Sequence, residues 1–302
     1  MYRQVGRALA VVATVGVVIS GCGTGPSQVG SAAIVGSTAV PLDQVQSRLD
    51  VALGKTDAVA QLAASGIGAP DIARDVVTGA VLHDLLARTA AADGITVTEA
   101  DVDAALAESG GADAALSQSL YDLSAVRERI RDRIIAVRHA ERVAPGLAVT
   151  ADLIATDSRE DAAAKAQVLA AGGPEADALF DANPQNSRRS MTYEAVRSPE
   201  AASTVLFGLP VGRTAYFQPS PQQANWIVLR VTDRREDAQA DPNATASLGE
   251  ADLAAIGQRL LQPLADDVGV RVNPRYGVWD PVTLRVIAEG EVSGAVLPPA
   301  AG

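Results

Sequence analysis

The sequence predicts an α+β fold, mainly helical, with a small mixed domain inserted before a C-terminal helix. Three observations predict it. Between residues 42 and 143, apolar residues recur at spacings of three and four, the mark of helices with one buried face. From 151 the texture changes to short apolar runs among brief helical stretches, and "NWIVLRVTD" (225–233) alternates with period two as a strand does. After a polar stretch, residues 248–266 return to helical spacing, with Leu253, Ile256, Leu260, Leu261 and Leu264 near one side.

The elements follow in order. Arg3 and Arg7 head the apolar run "ALAVVATVGVVIS" (8–20), which is too short to span a bilayer comfortably, so 1–21 reads as a secretory leader. It ends in "ISGC", and Cys22 is the only cysteine of the chain. Residues 22–31, rich in Gly and Ser and without periodicity, read as a flexible tether. "AAIVGSTAV" (32–40) is a small hairpin candidate around Gly36-Ser37. Pro41 then opens a helix with Leu42, Val45, Leu49 and Ala52 or Leu53 inward. A second helix spans about 70–92, with Ile72, Val76, Ala80, Leu82, Leu85 and Leu86 inward. Thr98 and Asp101 stand at capping-box spacing before a third. A short helix is expected over 112–120, and a longer one from Ser124 to about Val143, with Val126, Ile130, Ile134 and Val137 on its stripe.

The mixed part, 150–235, contains a strand at "ADLIAT", a helix over 159–173 ending in glycines, and two shorter helices. The strands "TAYFQ" (214–218) and "NWIVLRVTD" follow. Residues 236–247 hold no apolar side chain larger than alanine and read as a linker. The helix and extended segment of 248–285 are expected to pack back on the helical domain, 32–145, leaving 286–302 as a loose tail.

Composition narrows the function classes. The 302 residues are 48% hydrophobic and only 3% aromatic, so the core is built from Ala, Val, Leu and Ile. The net charge of −11, without any basic block, disfavours a nucleic-acid partner, which needs a cationic surface. An acidic body is also repelled by anionic lipid, so membrane association requires an anchor.

That anchor is the leader. Ile19, Ser20, Gly21 and Cys22 resemble the cleavage and lipidation motif of bacterial lipoproteins. The resemblance implies a lipid on Cys22 and residence on the extracytoplasmic face of the plasma membrane. Two acyl chains would hold on the order of 20 kcal/mol. An ordinary signal peptide that happens to contain a cysteine, or a leader retained as a membrane helix, are the competing readings.

The order of leader, hairpin, helices, mixed domain and terminal helix resembles the SurA/PrsA group of extracytoplasmic foldases. "AAIVGSTAVPLDQVQSRLD" is similar to that group's N-terminal opening, and "ITVTEADVDAAL" to the stretch after its second long helix. Residues 150–235 resemble a parvulin peptidyl-prolyl isomerase domain, most clearly at "LFGLPVGRTAYFQPSPQQANWIVLRVTDRR". "VRVNPRYGVWDP" looks like the ending of actinobacterial SurA-like lipoproteins. Active parvulins resemble one another in a pair of histidines on neighbouring central strands. Here those positions fall on Asp152 and on Ile227, or on Trp226 if the register slips by one. Isoleucine neither donates nor accepts a hydrogen bond, so the resemblance implies a degenerate domain.

Other candidates have plain readings beside the sharp ones. His83 and His139, the only histidines, lack a second ligand at helix spacing and read as structural or surface residues rather than metal ligands or pH sensors. Asp101/Asp103 and Asp266/Asp267 read as solvated faces rather than acid/base pairs. Trp226, Tyr216, Phe217, Tyr276 and Trp279 read as core anchors before a peptide groove. There is no Gly-rich phosphate loop, Ser/His/Asp arrangement or metal-ligand spacing, so no catalytic residue, cofactor or metal is expected. The expected function is a lipid-anchored chaperone that binds unfolded exported polypeptides without catalysis. A weak prolyl isomerase and an envelope scaffold with one dedicated partner are the alternatives.

Overall fold

The computed structural model describes residues 29–220, 224–237 and 244–298. The leader, Cys22, most of the 22–31 tether and the middle of the 236–247 stretch lie outside the described residues. The fold is α+β. In chain order, β1 (Ser31–Val35), β2 (Thr38–Pro41), α1 (Leu42–Gly54), α2 (Thr56–Ala64) and α3 (Ala69–Asp93) come first. Next come α4 (Glu99–Glu108), α5 (Gly111–Ser117) and α6 (Leu123–Val143). The mixed part holds β3 (Ala148–Thr156), α7 (Arg159–Ala171), α8 (Gly173–Ala182), β4 (Ser187–Glu194), α9 (Pro199–Ala202), α10 (Val205–Gly208), β5 (Thr214–Phe217) and β6 (Trp226–Arg235). The chain closes with α11 (Glu250–Arg259), α12 (Gln262–Val268), β7 (Val270–Val272), β8 (Val278–Asp280), β9 (Arg285–Ile287) and β10 (Gly294–Leu297).

Local chemistry explains the boundaries. Gly36 turns the β1–β2 hairpin at φ +61, which glycine adopts without a steric penalty. At α4, Thr98 Oγ1 accepts from the Asp101 N–H while the Asp101 carboxylate accepts from the Thr98 N–H. Two otherwise orphaned donors are thereby satisfied, and Asp101 is held down to about 2 by these bonds and by Arg138. The expected single helix over 248–266 is two, because Pro263 lacks an N–H and stands in the first turn of α12. On α6 the buried stripe is Ala125, Val126, Ile135, Ala136 and Ala140, with Ile130 and Ile134 only half-buried. The small residues face inward because another helix comes close to them.

Two sheets join parts of the chain that are distant in sequence. In the first, ordered β2–β1–β7, the early hairpin receives a strand from beyond residue 269. All five residues of β1 are consequently buried, including Ser31, the expected end of the tether. The second sheet, antiparallel throughout, is ordered β10–β5–β6–β3–β4. Its two outer strands differ from expectation. The stretch 286–302 is not wholly loose: Gly294–Leu297 pairs with β5 along four positions. Ser187–Glu194 forms the opposite edge, and its mostly exposed side chains leave no hydrophobic alternation to read.

Three cores result. One is built from β1, α1, α3 and the first part of α6, with Leu261 and Ala265. A second lies on one sheet face under α9, α10 and α11. The third fills the other face beneath α7 and α8. Helices α6 and α11–α12 contribute to both of the first two. They cross so closely that a β-carbon on Gly257 would fall inside the carbonyl group of Ala136. Beside this crossing, Arg259 is buried and donates to the carbonyls of Ser203 at 3.2 Å and Val282 at 2.7 Å, and to Gln262 Oε1 at 2.9 Å. Burial pulls the guanidinium down to about 10 against the opposing field of Asp280, so it stays charged at neutral pH.

Gly257→Ala forces backbone against backbone, and overpacking of this kind costs roughly 1–3 kcal/mol or more. The helix-propensity gain of about 1 kcal/mol offsets only part of it. Urea unfolding is expected to show a net loss for Gly257→Ala. Gly54→Ala, at the end of α1 with nothing within 4 Å of the added carbon, is expected to be neutral. Equal stability of Gly257→Ala and the parent chain would contradict the close crossing.

Candidate functional site

Strands β3 and β6 are where the resemblance places two imidazoles, and the observed side chains do something else. Asp152 stands opposite Arg230 and is 4% exposed. Its Oδ2 accepts from Arg230 Nη2 at 3.0 Å, and its Oδ1 from the Ser190 N–H at 3.0 Å. Ser190 sits at φ +52, beside a slip in the β3–β4 register. A bulged residue leaves the ladder, and its N–H then needs another acceptor. The carboxylate provides it, while Arg230 also donates to the Leu169 carbonyl at 3.2 Å, fixing the end of α7.

Ile227 does not share that neighbourhood. With Leu229 and Val231 it packs into the second core, whereas Trp226 and Val228 pack with Ile154 in the third. The Ile227 register thus puts the two positions that the resemblance singles out on opposite faces. The one-residue slip to Trp226 brings both to the α7 face.

At the end of β5 and β6 an open cleft of about 820 Å³ is lined by Val205, Phe217, Trp226, Val282 and Val292, with Arg159 and Arg259 at its polar side. The Arg159 guanidinium lies 5.8 Å from the Trp226 ring, and Tyr216 meets that ring at 6.2 Å, tilted by 42°. The five singled-out aromatics therefore divide. Phe217 and Tyr276 are buried core residues, and Tyr216, Trp226 and Trp279 pack half-buried against the cores. Phe217 and Trp226 also present surface to the cleft, whereas Tyr276 and Trp279 border a separate hollow beside β7 and β8.

A second surface belongs to α2, a helix that the periodicity passes over. Its sequence, TDAVAQLAA, is mostly apolar, yet none of its residues is buried. Lys55, at its start, donates to the carbonyls of Leu116, Ser119 and Tyr121 at 2.9, 2.6 and 3.0 Å. This clamp anchors one end of α2 while Val59 and Leu62 stay half-covered and Ile67 lies open.

The two histidines acquire partners from across a helix pair. His83 Nδ1 on α3 lies 2.8 Å from Asp132 Oδ1 on α6, and His139 Nδ1 on α6 lies 2.6 Å from Asp93 Oδ2 at the end of α3. His83, Glu128 and Asp132 bring ligand-type atoms within 4.8 Å of one another. Arg48 already donates twice to Glu128, at 2.7 Å each, so a cation there would have to displace a bidentate pair. Local spacing gave no hint of these pairs because they lie 46 and 49 residues apart. Asp103 pairs with Arg127, and Asp266 and Asp267 are exposed.

No family model matches the chain, and no curated protein matches it. Among solved structures, it is similar to the foldase protein PrsA from Lactococcus lactis, with a TM-score of 0.30 and 9% identity over 81% of this chain and 95% of that one. It is likewise similar to the foldase protein PrsA from Streptococcus pneumoniae, with a TM-score of 0.28 and 13% identity over 68% of this chain and 87% of that one. Neither superposition is close enough to carry fold or function across. Among the described residues, no helix is long and apolar enough to cross a membrane.

The Asp132 hydrogen bond raises the His83 imidazole above its usual 6.5, helped by Glu128 and opposed by burial and Arg48. A raised folded value means that the pair's contribution is full below the unfolded value and fades as the pH climbs through the folded one. The urea-midpoint gap between the parent chain and His83→Gln is therefore expected to be wider at about pH 5.5 than at about pH 8.5. A gap that is constant, or wider at the higher pH, would show that the pair does not bind a proton on folding.

Proposed function

We propose that this chain is a lipid-anchored extracytoplasmic chaperone of the SurA/PrsA foldase type, which holds unfolded exported polypeptides non-covalently. The observation that carries the reading is α2, where six of nine residues are Ala, Val or Leu and none is buried. Fully covering a Val or Leu side chain is worth about 1.5–3 kcal/mol, so a partner chain that roofs Val59 and Leu62 gains part of that. Exposed Val51 and Ile67 lie on either side of α2 in sequence. Contacts of this size exchange readily, which suits a holder that must release its client.

In this reading residues 32–145 form the capture domain, 150–235 a degenerate parvulin-like domain, and 248–285 the segment that packs back on the helices. Cys22 takes the lipid, and the plasma membrane is the second partner. The ion pair on Asp152 and the packing of Ile227 into the second core, on the opposite sheet face, speak for holding without catalysis. The cleft at Phe217 and Trp226 favours a weak isomerase as the second reading, one that strips water from an X-Pro bond whose barrier is about 18–20 kcal/mol.

Light scattering from a denatured reporter protein tests the proposal, using the chain without its leader. The parent is expected to suppress aggregation, and Val59→Asp/Leu62→Asp to lose most of that effect while keeping the parent's helical signal. Prolyl isomerisation in a protease-coupled peptide assay is expected to stay at background. In cells, Cys22→Ser is expected to leave the membrane fraction. Undiminished suppression by the double variant would remove α2 from the account, and acceleration of the proline step would favour the isomerase.

A further inference from the structure

A second hollow, of about 330 Å³, lies where α3, α6, α11 and the segment after β8 meet. Its charge is opposite to that of the protein. Arg129, Arg259 and Arg285 line it together with a single carboxylate, Asp75, in a chain whose net charge is −11. Asp75 Oδ2 accepts from Arg129 Nη2 at 2.9 Å and from the Tyr121 hydroxyl, and its Oδ1 accepts from Arg285 Nη2 at 3.2 Å. Arg129 stacks 4.0 Å from the Tyr121 ring centre. Arg259 spends its bonds on neutral carbonyls and an amide oxygen. Asp280, whose charge acts on it, accepts from the Val282 N–H and the Thr283 hydroxyl. Three guanidiniums thus meet two carboxylates, and Asp75 cannot fill every N–H of the two forks it touches.

Arg129, held by stacking and by the shared carboxylate, is pre-organised for a planar oxyanion, and Arg285, tied to the same carboxylate at the exposed rim, adds a second fork. Ser203, Arg259 and Thr283 line both this hollow and the apolar cleft that holds Phe217 and Trp226. The two recesses therefore adjoin at Arg259. We propose that the hollow is an oxyanion subsite that takes a carboxylate, a chain terminus or an acidic side chain, from a polypeptide lying in the cleft. This deepens the polypeptide-binding reading above and rests on it for the source of the carboxylate. Free inorganic phosphate, a tetrahedral anion that also accepts two N–H bonds from one guanidinium, is the competing source.

Anisotropy titrations of the chain without its leader, with one labelled apolar peptide ending in a free carboxylate or in an amide, test the assignment. The carboxylate form is expected to bind about tenfold more tightly at low salt. Arg285→Gln, at the exposed rim, is expected to close that gap without weakening the amide form. The Arg129 and Arg285 side-chain resonances are expected to shift with N-acetylglycine and not with N-acetylglycinamide. Equal affinities, or a gap that survives Arg285→Gln, would overturn the subsite, as would resonances that respond to phosphate but not to N-acetylglycine. If neither peptide binds, the cleft reading falls, and the N-acetylglycine titration still decides the hollow.

Discussion

The close crossing of α6 and α11 at Gly257 is the constraint on which the rest of the fold depends. The composition makes it necessary. With aromatics at 3% of the chain, few side chains are large enough to fill the space between widely separated helices. Packing at interior density then requires backbones to come together. Ala136 on α6 and Gly257 on α11 meet that requirement, and Ala140 and Ala254 are buried on the same two helices. Helix α6 feeds both cores, and α11 in the second core runs on through Leu261 into α12 in the first, so the crossing couples the helical region to the sheet.

The chain's last third follows from that crossing. Arg259, two residues beyond Gly257 on α11, gathers carbonyls from the end of α9 and from the segment after β8. A buried guanidinium is costly unless its donors are met, and here the extended segment meets them. With that segment fixed, β7 reaches the N-terminal hairpin, β9 lies against α3 through the Thr78 hydroxyl, and β10 closes the sheet edge beside β5. The cleft and the positive hollow are the spaces left on either side of Arg259. The proposed binding surfaces are consequences of how an alanine-rich chain closes, with α2 left outside because, among the described residues, no element reaches over it.

What the sequence made legible was local. The Thr98–Asp101 box, the Gly36 turn, the period of β6 and the inward Ile72, Val76, Leu85 and Leu86 are each decided by neighbours a few residues away, and each is observed. The rest depended on distant partners. The edge strands β4 and β10 carry too little buried alternation to announce themselves, and β4 is held by the Asp152–Ser190 bond as well as by its ladder. The His83–Asp132 and His139–Asp93 pairs required knowing that α3 lies on α6. On α6 the expected Val126 is buried, and Ile130 and Val137 pack against the cores. The fully buried face also takes in Ala125, Ile135, Ala136 and Ala140, because a neighbouring helix comes within backbone contact at Ala136. At the candidate site, the identities of Asp152 and Ile227 were legible as departures, but their opposite faces and the arginine-lined hollow were not.

Coupling across the α6–α11 crossing is the central claim, and tryptophan fluorescence reads it directly because one indole lies in each half. Trp226 packs against the third core of the sheet, and Trp279 against the helical core. Urea unfolding followed by Trp226 alone in Trp279→Phe, by Trp279 alone in Trp226→Phe, and by far-ultraviolet circular dichroism in both variants should give, within each variant, one midpoint and one slope for its two signals. The two variants' midpoints should also agree once each variant's own stability change is taken into account. Indole and backbone signals that part by more than their error within either variant, with sheet and helices melting separately, would contradict the account.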